Sequence, residues 1–216
     1  MIECIINKSF ESSVERSSRV LECAEAFGLG LQSKEFVVYK DLKIFVHQGD
    51  VIYITGQSGS GKTLILKELA SQISKATPVC NIEDVQLVEK PLIDQVGDST
   101  SEAIRILSQA GLNDAYLFIR KPSQLWDGQL YRFKIAKLLD SGAKVIVADE
   151  FGAVLDRVTA RAVALSVQKF ARSKGATLIV ATTHGDLKQE LAPDLYINKR
   201  FQEKIAIEYP PVGERE

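Results

Sequence analysis

The sequence has few of the residues that build metal centres, disulfide frameworks or zinc sites. Its 216 residues include two histidines and three cysteines. Cys4, Cys23 and Cys80 are odd in number and lack the paired spacing of a zinc knuckle, which argues against a disulfide framework and indicates a reducing compartment. Because His47 and His184 are the only histidines, a histidine-rich metal site is not expected.

The sequence also lacks long apolar runs and an excess of charge of either sign. No stretch approaches the roughly 18 consecutive apolar residues of a membrane-spanning helix, and the first ten residues do not resemble a signal peptide. The 27 Lys+Arg nearly balance the 28 Asp+Glu. The net charge of −1 therefore does not indicate a basic surface that would bind nucleic acid or an acidic membrane. With 45% hydrophobic residues, we expect a cytoplasmic mixed α/β protein with a buried core and no membrane span of its own.

Apolar, β-branched runs alternate with helical segments along most of the chain. Three buried strands are predicted, at Val51–Thr55, Lys144–Ala148 and Thr177–Thr182, and their alternation with helices predicts a mainly parallel sheet covered on both faces. Further strands are predicted at Ile2–Ile6, Phe36–Tyr39 and Leu42–Val46 and, as edge strands, at Leu195–Ile197 and Lys204–Tyr209. Helices are predicted at Val14–Phe27, Ser101–Ala110 and Leu130–Leu139.

The same pattern predicts how the chain is organised. We expect one domain over residues 1–216, in which residues 1–90 and 140–216 form the α/β core. Residues 91–139 contain no convincing strand and are predicted to form a helical lobe set into that core.

The segment GQSGSGKT matches the phosphate-binding pattern GxxxxGK[ST] and lies between a predicted strand and a predicted helix. Its glycines let the backbone turn N–H groups onto a β-phosphate, and the helix directs its positive end at the same anion. Lys62 would add a charge at the β- and γ-phosphate oxygens, and Thr63 would offer a hydroxyl to Mg²⁺. The predicted nucleoside triphosphate site therefore comprises Gly56, Gln57, Ser58, Gly59, Ser60, Gly61, Lys62 and Thr63.

Four more motifs follow this loop in a fixed order. They are LWDGQ with the string GQxxRxxIAxxL from residue 128, KVIVADE ending at Glu150, AVLD ending at Asp156, and LIVATTH ending at His184. From about Tyr39 to Tyr209, this order resembles the ABC ATPase superfamily, and the chain is similar to soluble ABC-class ATPases of archaea and their viruses, some of which are fused to an acetyltransferase domain. The resemblance implies an α/β fold: a P-loop NTPase (RecA-like) core with a mainly parallel sheet, a short helical signature lobe and an antiparallel β edge.

The resemblance also implies a role for several residues in ATP hydrolysis, with ATP and Mg²⁺ as cofactors. Asp149 would hold the hydration shell of Mg²⁺, next to Thr63. Glu150 would orient and polarise the attacking water, and His184 would contact the γ-phosphate. Together with Lys62, Glu150 and His184 form the implied catalytic set.

An ATP-dependent homodimer is a further implication of the resemblance. Gly128 and Gln129 of the signature would face the nucleotide bound by the other subunit, and Asp156 would lie at the interface, so that two chains clamp two ATP molecules head to tail. The signature departs from the usual LeuSerGlyGly pattern, since Trp126 and Asp127 replace the serine and the first glycine. Asp127 brings negative charge towards a polyanion, which weakens this clamp unless its side chain points away.

Two assignments have alternatives. The glutamine that reaches Mg²⁺ from the lobe could be Gln86 or Gln95, or Glu89 in its place, and Gln95 is chosen because it opens the lobe. The adenine-stacking aromatic could be Tyr39 or Phe36, both of which also fit core strand positions, and Tyr39 is assigned.

The leading functional hypothesis is an ABC-type ATPase whose ATP-bound dimer switches an unidentified protein or nucleic-acid partner. One alternative is the nucleotide-binding subunit of a membrane transporter, which the short lobe disfavours. A small-molecule phosphotransferase would leave His184 and the signature unexplained. A module that binds ATP with negligible hydrolysis is the fourth hypothesis, which the altered signature supports.

Overall fold

The computed structural model describes residues 1–32, 34–199 and 205–209. Contacts between residues divide the chain into two compact units, residues 3–45 and residues 1–2 with 46–216. The single-domain organisation stays a prediction. Among the described residues, none of the helices combines the length and the apolar character needed to cross a membrane.

The helices are α1 (Ser18–Phe27), α2 (Lys62–Ile73), α3 (Thr100–Gln109), α4 (Ala115–Phe118), α5 (Asp127–Asp140), α6 (Arg157–Lys174) and α7 (Lys188–Leu191). The strands are β1 (Ile2–Ser12), β2 (Lys34–Val46), β3 (Val51–Gly56), β4 (Val79–Asn81), β5 (Val145–Ala148), β6 (Thr177–Thr182), β7 (Leu195–Lys199) and β8 (Ala206–Glu208). Single 3₁₀ turns occur at Ile82–Asp84, Leu92–Asp94 and Pro122–Gln124.

In the first unit, β1 pairs with β2 in a two-stranded sheet, and α1 lies between these strands along the chain. The predicted helix at Val14–Phe27 begins four residues later than expected. The reason is the side chain of Ser17, which accepts a hydrogen bond from the Val20 N–H and caps the helix. Gly28, at φ +62°, ends the helix in the left-handed conformation that glycine adopts without strain.

The two strands predicted at Phe36–Tyr39 and Leu42–Val46 are one continuous strand, β2. Asp41 has a φ of +49°, and its N–H donates to the side-chain oxygen of Asn7 on β1 at 2.6 Å. This cross-strand hydrogen bond supports a conformation that short polar side chains tolerate better than most. A polar residue at this point therefore does not interrupt the strand.

The second unit contains a six-stranded sheet in the order β4-β5-β6-β3-β7-β8. Neighbouring strands are parallel except for β8, which runs antiparallel to β7. This arrangement confirms the predicted α/β class with a mainly parallel sheet and an antiparallel edge. Leu195–Ile197 is not the edge strand that we predicted, because β7 lies between β3 and β8. Lys204, the predicted start of the last strand, lies outside the described residues.

Every residue of β5 and β6, and all of β3 except Gly56, is buried. Strands covered on both faces cannot alternate apolar and polar side chains, which explains their continuous apolar runs. Helices α3, α5 and α6 pack into the same core, with Leu107 and Phe133 fully buried. This core fixes the strand ends that carry the functional motifs.

Residues 91–139, all of which are described, contain helices and no strand, and their organisation as a separate lobe stays a prediction. The helix predicted at Ser101–Ala110 is α3, capped by the side chain of Ser99, which accepts from the Glu102 N–H. The helix predicted at Leu130–Leu139 is α5, which begins three residues earlier, at Asp127. Gly128 and Gln129 therefore belong to the first turn of a helix.

Candidate active site

Three of the sequence motifs lie at one edge of the six-stranded sheet. Strands β5, β6 and β3 are adjacent and parallel, and Ala148, Val180 and Tyr53 lie in one row across them. Since parallel strands all end at the same edge, the segments that follow these residues leave the sheet together. Those segments are the phosphate-binding loop, the Asp149–Glu150 pair and the segment ending at His184.

The phosphate-binding loop depends on glycine at three positions. Gly56, Gly59 and Gly61 have φ values of +150°, +72° and +101°, which side chains with a Cβ rarely adopt. A Cβ at Gly56 would also lie 1.9 Å from the carbonyl oxygen of Lys199 on β7. The loop therefore starts against the neighbouring strand with no room for a side chain.

Lys62 and Ser60 are buried residues of this loop. Lys62 is buried, and its Nζ donates to the carbonyl oxygen of Gln57 at 2.9 Å, so the side chain reaches back across the loop. Gly61 precedes α2, and no side chain caps the helix. A helix N-terminus without a side-chain cap, next to a lysine ammonium, provides a positive site for an anion.

Asp149 and Glu150 follow β5 directly. Asp149 Oδ1 accepts a hydrogen bond from the Glu150 N–H at 2.9 Å, and Glu150 has a φ of +47°. This left-handed backbone is unusual for glutamate and indicates that the surrounding structure fixes the turn. The Phe151 N–H donates to the Ala181 carbonyl on β6 at 2.8 Å, and Phe151 is buried. Glu150 itself is exposed at the sheet edge.

His184 is the predicted residue with the most unusual surroundings. Burial lowers its pKa, and the nearby Arg157 lowers it further, whereas a hydrogen bond to the Gly152 carbonyl and the charge of Glu150 raise it. The net shift is downward, which favours a neutral imidazole. Glu150 and His184 follow adjacent strands, β5 and β6, and the charge of Glu150 acts on the His184 ring.

Two buried polar atoms at this edge have no hydrogen-bond partner among the described residues. They are Nε2 of His184 and Oγ of Ser60. A buried polar atom without a partner is costly, so such atoms often mark a site where a ligand completes the hydrogen bonding. The residues present therefore fit a polyphosphate with its associated cation.

Sequence reasoning missed two tyrosines that contact this machinery. The hydroxyl of Tyr53 on β3 donates to the His184 carbonyl, and burial raises the pKa of Tyr53 to about 12. The hydroxyl of Tyr131 on α5 accepts from the Gly152 N–H at 3.0 Å. Both tyrosines occupy apolar positions of a strand or helix, so the sequence pattern alone gives no signal for their hydroxyl groups.

The signature segment packs against the segment of the same chain that precedes α6. A Cβ at Gly128 would lie 3.4 Å from Leu155 Cδ2 and 3.4 Å from the Val154 carbonyl oxygen. The side chain of Gln129 accepts from the Trp126 N–H at 3.1 Å and so caps the start of α5. Trp126 is 77% exposed, with its indole facing solvent.

Charged residues secure the two helices on either side of this contact. Arg132 donates to the carbonyl oxygens of Gly128, at 3.1 Å, and Gly111, at 2.6 Å. Asp156 caps α6 by accepting from the N–H of Thr159 at 3.0 Å, and the hydroxyl of Thr159 is the leading cause of the lowered pKa of Asp156. The interface role implied for Asp156 stays a prediction.

The three candidates for the Mg²⁺-reaching residue differ in their contacts. The amide of Gln95 donates to the carbonyls of Val88, at 2.8 Å, and Lys90, at 2.7 Å, and accepts from the Val88 N–H. Glu89 accepts from the N–H and the hydroxyl of Ser123. These contacts hold the lobe segments together, and the metal role of Gln95 stays a prediction.

Gln86 is placed differently. It follows β4, which is parallel and adjacent to β5 and so leaves the same sheet edge that carries Asp149. Its exposed amide donates to the Asp84 carbonyl at 3.3 Å. Topology therefore favours Gln86 over Gln95 as a residue near the Asp149 carboxylate.

Tyr39, the residue assigned to adenine stacking, belongs to the first unit. Its side chain is buried and burial raises its pKa to about 12, as expected for a core tyrosine. The side chain of the alternative, Phe36, lies outside the described residues. The stacking role stays a prediction.

Fold and site together define a P-loop ATPase with the Asp-Glu and histidine motifs on adjacent strands. Residues 46–191 match the family described as AAA domain, and the chain belongs to that family. It is an ABC-type ATPase, which binds ATP and hydrolyses it to ADP and phosphate.

Several known proteins of similar sequence are ATP-binding proteins of transporters. The chain is 24% identical over 211 residues to the glutamine transport ATP-binding protein GlnQ of Geobacillus stearothermophilus, covering 82% of this chain and 86% of GlnQ. It is 23% identical to the methionine import ATP-binding protein MetN of Streptococcus agalactiae, covering 74% of this chain and 56% of MetN. It spans 28% of the syringafactin export ATP-binding/permease protein SyfD of Pseudomonas syringae.

Solved structures show the same fold at lower identity. The ATP-binding cassette MJ0796, a dimer bound to ADP and Pi, superposes with a TM-score of 0.66 at 17% identity, over 97% of this chain and 99% of that one. CbiO1 of Clostridium perfringens superposes with a TM-score of 0.56 at 19% identity, over 76% of this chain and 80% of that one. These likenesses confirm the fold of an ATP-binding cassette.

Proposed function

We propose that the chain hydrolyses ATP with Mg²⁺ in the cytoplasm, as a head-to-tail dimer that acts as a switch on a partner. The observation that carries this proposal is the meeting of three motifs at one sheet edge, where Nε2 of His184 and Oγ of Ser60 have no partner among the described residues. A triphosphate held by the loop would reach both atoms. The proposal assigns each residue of this edge a separate role.

The phosphate-binding loop and Lys62 hold the β- and γ-phosphates through N–H groups and one ammonium. The described residues contain no group of three or more His, Cys, Asp or Glu side chains able to hold a metal by themselves. Thr63 and Asp149 would hold Mg²⁺ together with the nucleotide, and the cation would neutralise charge on the phosphate oxygens. Topology favours Gln86 over Gln95 as the further residue at this cation, because Gln86 follows the strand beside β5, whereas the Gln95 amide binds the Val88 and Lys90 carbonyls.

Glu150 acts as the general base on the attacking water. It is exposed at the sheet edge and lies close enough to His184 to influence its pKa. Nε2 of the His184 ring has no hydrogen-bond partner among the described residues, so this nitrogen would meet the γ-phosphate. Negative phosphate charge beside His184 favours the imidazolium, which would donate from Nε2 and stabilise the developing charge.

A second subunit supplies the signature segment in this proposal. Gly128 lies in the first turn of α5, where backbone N–H groups face outward from the helix end. Asp127 partly compensates the helix dipole at the same place, so the signature binds an anion less strongly than an uncharged one would. ATP-dependent dimers of this chain are therefore expected to be weaker than those of cassettes with an unaltered signature.

A membrane subunit of a transporter is the second candidate partner. The names of GlnQ and MetN favour it, since both are ATP-binding proteins of transport systems. Stable co-purification with a polytopic membrane protein would establish this partner, and purification with a non-membrane protein or nucleic acid would favour the switch.

The central test is Glu150→Gln, followed by measurement of phosphate release and of molecular mass by light scattering with and without MgATP. Loss of a general base predicts a fall in turnover of about 100-fold or more. Because ATP then persists in the site, we expect an ATP-dependent dimer. A monomer at saturating ATP would contradict the clamp.

Two variants control this experiment. Glu22→Gln makes the same change of charge at an exposed position of α1 and should leave turnover unchanged. Lys62→Ala should abolish ATP binding measured by calorimetry, and retained binding would show that the loop assignment is wrong.

A further inference from the structure

Tyr131 on α5 connects the signature helix to the turn that carries the catalytic glutamate. Its hydroxyl accepts from the Gly152 N–H at 3.0 Å. Its ring packs edge-on against Phe151, with 6.4 Å between ring centroids. Burial raises the pKa of Tyr131 above its ordinary value, so the hydroxyl keeps its proton. Residues on both sides of the Phe151–Gly152 peptide bond therefore contact one side chain of the signature helix.

The carbonyl group of Gly152 faces His184, the residue proposed to contact the γ-phosphate. This carbonyl raises the pKa of the His184 imidazole. Because Nε2 has no hydrogen-bond partner among the described residues, Nδ1 is the ring nitrogen that we assign to this carbonyl. One glycine therefore joins Tyr131 on its N–H to His184 on its carbonyl.

The conformation of this turn leaves Gly152 little freedom to move on its own. Gly152 has a φ of +72°, and a Cβ there would lie 3.3 Å from Ala160 Cβ on α6. Two residues earlier, Glu150 has a φ of +47°. The Ala153 N–H donates to the Glu150 carbonyl at 3.0 Å and closes the turn around Gly152. A shift of the Gly152 peptide would therefore move Glu150 and the His184 ring together.

We propose that Tyr131 is a positioning residue for ATP hydrolysis, which holds Gly152 so that Glu150 and the His184 ring keep their relative placement. The inference rests on the proposed roles of Glu150 and His184. It also gives a route by which displacement of the signature helix reaches the hydrolytic site, since α5 carries both Gly128 and Tyr131.

The test is Tyr131→Phe in the full chain, because this change removes the hydroxyl and keeps the ring. We expect kcat to fall about 3- to 10-fold, the range for loss of one buried hydrogen bond, with the KM for ATP within about 2-fold of wild type. A loss confined to kcat is expected because Tyr131 does not touch the phosphate-binding loop in the proposed arrangement.

A spectroscopic readout reports the placement of His184 directly. In a His47→Gln background, His184 is the sole histidine of the chain, so ¹⁵N-labelled histidine gives one set of ring signals. With the Tyr131 hydroxyl present, we expect a single Nδ1–H tautomer in the neutral ring. Tyr131→Phe should release Gly152 and yield a mixture of tautomers. The groups facing this ring, Glu150 and Arg157, are unchanged in both proteins.

Ile135→Val is the matched control for simple destabilisation. Ile135 is buried on the same helix and loses one methylene group, but it makes no contact with Gly152 that the proposal uses. Its melting temperature should fall by an amount similar to that of Tyr131→Phe, while kcat and the His184 signals stay as in wild type.

Three outcomes would overturn the proposal: an unchanged kcat in Tyr131→Phe, an unchanged tautomer of His184, or an equal loss of kcat in Ile135→Val. Glu150→Gln and His184→Ala are measured alongside. Wild-type hydrolysis in both would overturn the proposed function and the role of Tyr131 with it. A wild-type rate confined to Tyr131→Phe overturns only the role of Tyr131.

Discussion

Gly56 and Gly59 lie three residues apart in the phosphate-binding loop, and alanine at each should have very different consequences. Gly56 is the last residue of β3 and pairs with Lys199 on β7. A Cβ there would lie 1.9 Å from the Lys199 carbonyl oxygen and 2.9 Å from its carbonyl carbon. A Cβ at Gly59 would have no atom within 4 Å. The two sites therefore separate steric conflict from backbone strain.

The magnitudes follow from these contacts. Both glycines have positive φ, +150° at Gly56 and +72° at Gly59, so alanine at either position costs about 1–2 kcal/mol of backbone strain. At Gly56, the conflicting atoms belong to the backbone of a paired strand, and relief of the overlap adds about 1–3 kcal/mol. We expect Gly56→Ala to lose about 2 kcal/mol more unfolding free energy than Gly59→Ala.

Thermal unfolding followed by circular dichroism tests this expectation. For a chain of this size, about 2 kcal/mol corresponds to a difference of about 4–8 °C in melting temperature between the two variants. Urea titration at 25 °C gives the same comparison as free energies. Equal stability of the two variants would refute the reasoning, because it would mean that β7 moves aside at no cost or that the loop starts elsewhere.

Two further predictions concern residues at the sheet edge. Because burial holds the pKa of folded His184 below its ordinary 6.5, the unfolded chain takes up its proton first as the pH falls. The stability contribution of His184 is therefore complete above pH 6.5 and is lost as the pH falls through the lower folded-state pKa. Urea unfolding from pH 8 to pH 5 should show this loss of unfolding free energy. His184→Gln should remove the part of the pH dependence that His184 causes. Gln95→Ala should lower the melting temperature, because the amide has three hydrogen bonds to the segment from Val88 to Lys90. Gln86→Ala should instead lower Mg²⁺-dependent turnover and leave the melting temperature unchanged. The reverse pattern would favour Gln95 as the residue near the cation.

The strand–loop–helix unit around the phosphate-binding loop could be predicted closely from the sequence. Val51–Thr55 and Thr177–Thr182 are continuous apolar runs, because each is buried between neighbours of a parallel sheet. The glycine spacing of the loop follows from its backbone, which needs positive φ at several positions. Local sequence and final structure therefore agree where the backbone itself is specialised.

Elements defined by partners elsewhere in the chain were not predictable in this way. Strand β4 has three residues, too few for a period, and forms because β5 lies beside it. The position of β7 inside the sheet depends on β8, whose three residues pair with Tyr196–Asn198. The start of α5 depends on the Gln129 side chain, which caps the Trp126 N–H. In each case the deciding contact is tertiary or lies outside the hydrophobic pattern.

The candidate site shows the same difference between residues of short local motifs and residues defined by contacts elsewhere in the chain. The positions of Lys62, Asp149 and Glu150 could be predicted, because each belongs to a short motif at a strand end. The hydrogen bonds of Gln95 could not, because its amide binds backbone carbonyls that any sequence offers. The hydrogen bonds of the Tyr53 and Tyr131 hydroxyls could not be predicted for a related reason. An aromatic ring is expected at a core position whether or not it carries a hydroxyl group.

Trp126 gives the protein an optical property of its own. It is the single tryptophan of the sequence, and 77% of its surface is exposed at the start of the signature helix. All indole emission therefore comes from the start of the signature helix, where the indole is exposed to water in the free chain. Any partner surface that covers this helix end, whether a second copy or another protein, would shift the emission to shorter wavelength. The unmodified chain thus carries a fluorescent reporter at the segment whose assembly is in question.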